Sequence, residues 1–249
     1  MATLLETSHL DKSFGALKAT DGVSLAVDAG EVHAVIGPNG AGKTTLIAQL
    51  TGELAPDRGT IRFDGRDITG LPTWRRTRLG LARSFQITTL LPQMSAEDNV
   101  ALAVQARSGS SFRFFADARR DTTLRGPARS FLERVGLAPV AQTRCRELSH
   151  GEHRQLELAV ALALQPRMLL LDEPLAGMGQ EDSARMVALL RSLKSELPML
   201  LVEHDMDAVF SLADRVSVLV YGRIIATGTP QAIRDDPAVR NAYLGGQGG

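Results

Sequence analysis

At 249 residues, with 44% hydrophobic and 22% charged side chains, the chain is long enough to bury a sizeable core and has an ordinary globular composition. Twenty-eight basic residues balance 28 acidic ones, so there is no basic excess to favour a nucleic-acid partner. The single cysteine, Cys145, excludes an internal disulfide. No basic-then-apolar leader opens the sequence, and the longest apolar run, Leu158 to Leu164, falls far short of the roughly 18 residues that span a bilayer.

Short extended segments come first: Thr3–Leu10, Val23–Val27 and Thr60–Phe63, set among Gly and Asp turns that suggest hairpins. From Val32 the pattern changes to buried strands alternating with helices, and the apolar runs "VHAVIG", "MLLLDE", "MLLVEH" and "RVSVLVYG" read as strands covered on both faces. Helices are expected over Lys43–Leu50, Gly151–Gln165, Glu181–Ser195 and Met206–Leu212. That alternation predicts an α/β core with a mainly parallel sheet.

The first apolar strand runs into "GPNGAGKT", Gly37 to Thr44, which matches G-x-x-x-x-G-K-[ST]. Backbone N–H groups wrap closely around phosphates only where a Cβ does not intrude, hence the glycines. Lys43 supplies positive charge near the β- and γ-phosphates, and the Thr44 hydroxyl is suited to Mg²⁺. The cluster Arg75, Arg76, Arg78 and Arg83 reads as a solvated face rather than a basic binding patch. Gln86 ends a further expected strand, "GLARSFQ", where its amide can meet Mg²⁺ or water.

Between Gln86 and Leu148 the strand signal fades, and helical patterns around Ala96–Gln105 and Thr123–Val135 flank a loop-like stretch over Ser108–Arg120. "LSHGEHRQLELA" then begins with Ser149 and Glu152 spaced as a capping box. A helix start is also an anion site, so this stretch reads both as a cap and as a phosphate contact.

Asp172 and Glu173 follow one apolar strand, and Glu203 and His204 another. Ligands of open α/β sheets bind beyond the carboxyl ends of strands. There Asp172 is placed to hold Mg²⁺, and Glu173 to act as general base toward a water facing the γ-phosphate. His204 is either a satisfied structural histidine or a γ-phosphate contact.

The order phosphate loop, glutamine, "LSHGE", "LLLDEP", histidine resembles the ATPase subunit of ABC transporters, from about Leu4 to Leu244. The resemblance implies a RecA-like P-loop core, an N-terminal antiparallel β-subdomain and an inserted α-helical subdomain. The expected boundaries are 1–86 for the first part of the core, 87–150 for the helical subdomain, 151–228 for the rest of the core and 229–249 for a helical tail. ATP and Mg²⁺ are the implied ligands. Phe14 matches the aromatic that stacks on adenine, with a core aromatic as the alternative. Gly37, Pro38, Asn39, Gly40, Ala41, Gly42, Lys43, Thr44 and Thr45 would hold the phosphates. Thr44, Gln86 and Asp172 would hold the metal, and Glu173, His204, Gln86 and Lys43 would serve hydrolysis. In the family two subunits pack head to tail, so Ser149, Gly151 and Glu152 would act on the partner's nucleotide.

Two positions depart from the pattern. His150 stands where the signature usually has glycine, and Gly179 where an aspartate is frequent. The stretches "RSFQITTLLPQMSAEDNVALA" and "DPAVRNAYLG" resemble ATPase subunits of branched-chain amino-acid uptake systems, with urea and amide importers close by. The resemblance implies permease chains, a second ATPase chain (paralogous or identical) and an external binding protein, at the cytoplasmic face of the inner membrane. Ile87 to Met94 would lie near the permease groove, with Leu90, Leu91 and Met94 either there or in the core. The runner-up is the ATPase of lipopolysaccharide export. A non-transport ABC ATPase fits less well, because one cassette is present and no sustained heptads occur.

Overall fold

The computed structural model describes residues 2–84, 90–108 and 121–244. Gln86, most of the loop-like stretch before Thr122 and the Gly-rich end lie outside the described residues.

The N-terminal part forms a four-stranded antiparallel sheet from β1 (Thr3–Phe14), β2 (Leu17–Asp28), β4 (Arg58–Phe63) and β5 (Arg66–Asp67), in the order β2-β1-β4-β5. A two-residue Asp64-Gly65 turn with both φ positive joins β4 to β5, matching strand twist as a hairpin requires. The second sheet takes β3 (Val32–Ile36), β6 (Leu81–Ser84), β7 (Met168–Asp172), β8 (Met199–Val202), β9 (Arg215–Val220) and β10 (Arg223–Gly228), ordered β10-β9-β3-β8-β7-β6. β6, β7, β8, β3 and β9 run parallel, and β10 closes one edge antiparallel.

The side-chain period of two explains why these strands read as unbroken apolar runs. Leu169 and Leu171 of β7 enter one core cluster, with the helices α3 (Ala96–Ser108), α4 (Thr122–Arg134) and α5 (His150–Ala163). Met168 and Leu170 enter the other, with α1 (Lys43–Thr51) and the antiparallel sheet. Each fully buried leucine contributes about 1.5–3 kcal/mol. The helices α6 (Gln180–Leu193) and α7 (Met206–Leu212) lie within two residues of their expected bounds, and α8 (Pro230–Asp235) and α9 (Pro237–Leu244) form the tail.

A six-residue helix, α2 (Thr73–Arg78), and the strand β10 carry no strong pattern of their own and were not among the expected elements. The arginine cluster is corrected by the structure. Arg76 is fully buried and donates to the carbonyls of Gln49, Leu50, Thr69 and Leu71, closing the C-terminal end of α1. Burial lowers its guanidinium to about 10, still charged at neutral pH. The Arg83 side chain is only 4% exposed, and only Arg75 and Arg78 remain outside, each 5.1 Å from the exposed Trp74 ring.

Candidate functional site

Four neighbouring parallel strands, β6, β7, β8 and β3, end on the same edge, so their C-terminal residues converge. β3 leads into the phosphate loop. Gly40 and Gly42 both take left-handed backbone conformations, and a Cβ on Gly42 would stand 2.0 Å from the Ala19 carbonyl oxygen. A Cβ on Gly37 would stand 2.1 Å from the Leu219 carbonyl oxygen. Both glycines are therefore required by close backbone contacts as well as by loop shape.

Gly42 caps α1 and brings no side chain to it, which leaves the first turn of this helix to an outside anion. The Lys43 ammonium donates to the carbonyls of Gly37 at 2.6 Å and Pro38 at 3.1 Å, curled into its own loop. Burial pulls its pKa down, and the nearby Glu173 and Asp172 carboxylates pull it back up.

A cavity of about 360 Å³ runs from Phe14 and Leu17 across Asn39, Gly40, Ala41, Gly42, Lys43, Thr44 and Thr45 to Glu173. Phe14 is 51% exposed, unlike a core aromatic, and its ring stands at the mouth with the Lys12 ammonium 6.0 Å from its centre. Its strand end is tied down by Asp57, which accepts from Lys12 and from the Ser13 N–H.

Glu173 takes φ +50°, a conformation a glutamate adopts at a cost of order 1–3 kcal/mol. Its N–H donates to the Val202 carbonyl at 2.8 Å, which holds it against β8. Asp172 is buried at the end of β7 and accepts from Arg83 at 2.8 Å. Burial pushes its carboxyl up, while Arg83 pulls the other way. Arg83 also donates twice to Glu53, so it lies between two carboxylates. His204, at the end of β8, has a side chain 62% exposed, so it is not a satisfied core histidine.

The start of α5 is built as its spacing predicts. Ser149 Oγ accepts from the Glu152 N–H, and the Glu152 carboxylate accepts from the Ser149 N–H. The helix begins at His150, one residue before the expected Gly151. His150 Nε2 lies 3.3 Å from the Ala176 carbonyl, so its ring turns toward the loop after Glu173. A Cβ on Gly151 would stand 2.7 Å from the Asp182 carboxyl carbon, so any larger residue there would push the Asp182 side chain aside. Ser149, Gly151 and Glu152 do not line the cavity that holds Phe14 and Glu173.

Sequence reasoning missed three residues that shape the site: Arg83 on Asp172, Asp182 under Gly151, and Glu203. The Glu203 carboxylate is buried and accepts from the N–H groups of Leu175, His204 and Asp205. Its signal was available, since it ends an apolar strand as Asp172 does. A second constellation, Ser217, His33 and Glu31, has triad-like spacing of 2.8 Å at both contacts. Ser217 and His33 are fully buried in the sheet, so no substrate reaches them.

A family model described as ABC transporter matches residues 20–176, well over half of the chain. The chain belongs to the ABC transporter family. It is an ATPase of the ATP-binding-cassette type, with the fold its motif order implies. A second model, described as branched-chain amino acid ATP-binding cassette transporter, matches residues 223–248 of this ATPase. The chain is similar to the high-affinity branched-chain amino acid transport ATP-binding protein BraF of Pseudomonas aeruginosa, at 40% identity over 97% of this chain and 98% of that one. It is also similar to the lipopolysaccharide export system ATP-binding protein LptB of Acidithiobacillus ferridurans, at 36% identity over 99% of both chains. Among solved structures, a nucleotide-free ATP-binding cassette from an ABC transporter superposes with a TM-score of 0.85 at 30% identity, covering 97% of this chain and 99% of that one.

Proposed function

We propose that this chain is the ATP-hydrolysing subunit of an importer for branched-chain amino acids or related small polar or amide solutes such as urea. The observation that carries the reading is the match of residues 223–248 to the branched-chain family's own C-terminal model, beside the near full-length similarity to BraF. The lipopolysaccharide-type exporter is supported by a relative of comparable coverage but lower identity, 36% against 40%. Its partners are then permease subunits in the membrane, a second ATPase chain, paralogous or identical, and an external solute-binding protein. No helix among the described residues is long and apolar enough to cross a membrane, and the proposed place is peripheral, on the cytoplasmic face of the inner membrane.

The residues of the cavity suit ATP. The exposed Phe14 ring offers a face to adenine, and the glycine backbone from Gly37 to Gly42 cradles phosphates that a Cβ would exclude. Lys43 exchanges the carbonyls of Gly37 and Pro38 for phosphate oxygens. Thr44 and the buried Asp172, with Gln86, provide oxygen ligands of the type Mg²⁺ takes, and when bound the ion neutralises charge on the β- and γ-phosphate oxygens. Glu173 faces the same cavity and accepts the proton of the attacking water. His204, exposed on the neighbouring strand end, contacts the γ-phosphate and steadies that water.

Ser149, Gly151 and Glu152 meet the γ-phosphate held by the partner ATPase, so two subunits close over nucleotide. Hydrolysis removes that γ-phosphate contact and lets the pair reopen, which is how the permease is driven. The experiment is to purify the tagged Glu173→Gln chain from solubilised native membranes with Mg²⁺ and ATP, and to identify its companions by mass spectrometry. Two permease proteins with a second ATPase support the importer. An export-type permease pair with one ATPase species, or soluble partners alone, overturns it.

A further inference from the structure

We infer that Glu203 is a positioning residue that holds the loops carrying Glu173 and His204 at a fixed separation. The inference rests on the hydrolytic roles proposed above for those two residues. Glu203 is 1% exposed and has no lysine or arginine partner among the described residues, which is unusual for a carboxylate. Its contacts are instead three backbone N–H groups and, at 3.5 Å, the His204 ring.

Those three groups belong to two different loops. Leu175 N–H donates to Oε1 at 2.9 Å from the segment after β7. His204 and Asp205 donate to Oε2 at 2.9 and 3.4 Å from the segment after β8. Glu173 leaves β7 in a left-handed conformation, and Pro174 has no N–H, so Leu175 carries the first donor available beyond the strained residue. The Glu173 N–H is already fixed on Val202, the residue before Glu203. Glu173 is thus pinned on both sides to the end of β8.

On the other loop, the tie at Asp205 sets the entry to α7, because Asp205 caps that helix through the Asp207 and Ala208 N–H groups. His204 sits between the two fixed points. A carboxylate suits this arrangement because it offers two acceptors and no donor. Glutamine at the same place would turn an NH₂ against one set of N–H groups. Aspartate would keep the charge but fall one methylene short of bridging both loops.

The test uses the full-length chain with Glu203→Gln and, should that variant fail to fold, Glu203→Asp. ATP affinity and the KM for ATP are expected to stay within about twofold, since the phosphate loop hangs on β3. The kcat is expected to fall about tenfold to a hundredfold, as small misplacements of reacting groups do. Amide hydrogen exchange should accelerate at Leu175, His204 and Asp205 while β3 and β7 stay protected. Unchanged kcat in a folded variant overturns the inference, and so does loosening spread evenly across the sheet. Glu173→Gln run alongside separates the two readings: if it still hydrolyses ATP the base assignment fails, whereas loss of activity there with full activity in the Glu203 variants removes only the positioning role.

Discussion

His150, at the start of α5, meets Ala176 in the loop after Glu173: the imidazole Nε2 lies 3.3 Å from the carbonyl oxygen. A Cβ on Gly177 would stand 3.0 Å from that nitrogen, and φ at Gly177 is +75°. The histidine that departs from the family signature therefore reaches the loop after Glu173 within its own subunit. Replacing it with glycine removes one exposed hydrogen bond and is expected to cost about 1 kcal/mol in chemical denaturation. Gly177→Ala should be strained in either background, yet less so beside His150→Gly. A double-mutant cycle is expected to give a coupling of about 0.5–1 kcal/mol, and purely additive effects would mean that the ring does not press on Gly177.

Arg83 holds Asp172 at 2.8 Å with the two side chains only 4% and 5% exposed, and binds Glu53 from its other side. Burial already pushes the Asp172 carboxyl up. Arg83→Met would leave that carboxylate buried without its cation, and unfolding free energy is expected to drop by about 3 kcal/mol. Denaturant melts of the two proteins at neutral pH measure the difference. A variant as stable as the parent would show that Arg83 does not neutralise Asp172.

Asp57 fixes the strand end that carries Phe14. The Lys12 hydrogen bond, and after it the Ser13 N–H, hold its carboxyl below the usual 3.8. A carboxyl depressed in the folded state contributes stability above its unfolded pKa and loses it as pH falls through the folded value. The tie is therefore intact at neutral pH and released only in the acid limb, below the ordinary carboxylate range. Asp57→Asn should remove that part of the acid response and weaken nucleotide binding a few-fold through Phe14. Titration with a fluorescent ATP analogue measures it, and unchanged affinity would separate Phe14 placement from Asp57.

Ser149 caps α5 without lining the cavity of its own subunit. Ser149→Arg should leave ATP binding by the single chain within about twofold while abolishing productive closure of the pair. Equilibrium binding and hydrolysis assays on the same preparation decide it. Loss of ATP binding by the isolated subunit would place Ser149 at its own nucleotide instead.

The strands that carry the site were readable because burial on both faces writes them as short unbroken apolar runs, and because each ends in a residue of distinct chemistry, as at Gly37, Asp172 and His204. β10 was not, since it alternates exposed and half-buried positions at a sheet edge, and its Tyr221-Gly222 turn lacks the usual Asn-Gly or Asp-Gly sign. Arg76 and Arg83 look like surface charge in sequence. Only three-dimensional placement shows one closing the end of α1 and the other set on Asp172. Glu203 is visible in sequence as the end of an apolar strand, but its role is not, because its partners are backbone groups that no side-chain motif records.

The measurement that bears most directly on the account is steady-state ATP hydrolysis by Glu173→Gln, with ATP binding followed in parallel. The expected result is retained binding with hydrolysis reduced by about 10²–10⁴-fold, the range a general base supplies. Undiminished hydrolysis would contradict the account, because the carboxylate in the nucleotide cavity would then have no part in activating water.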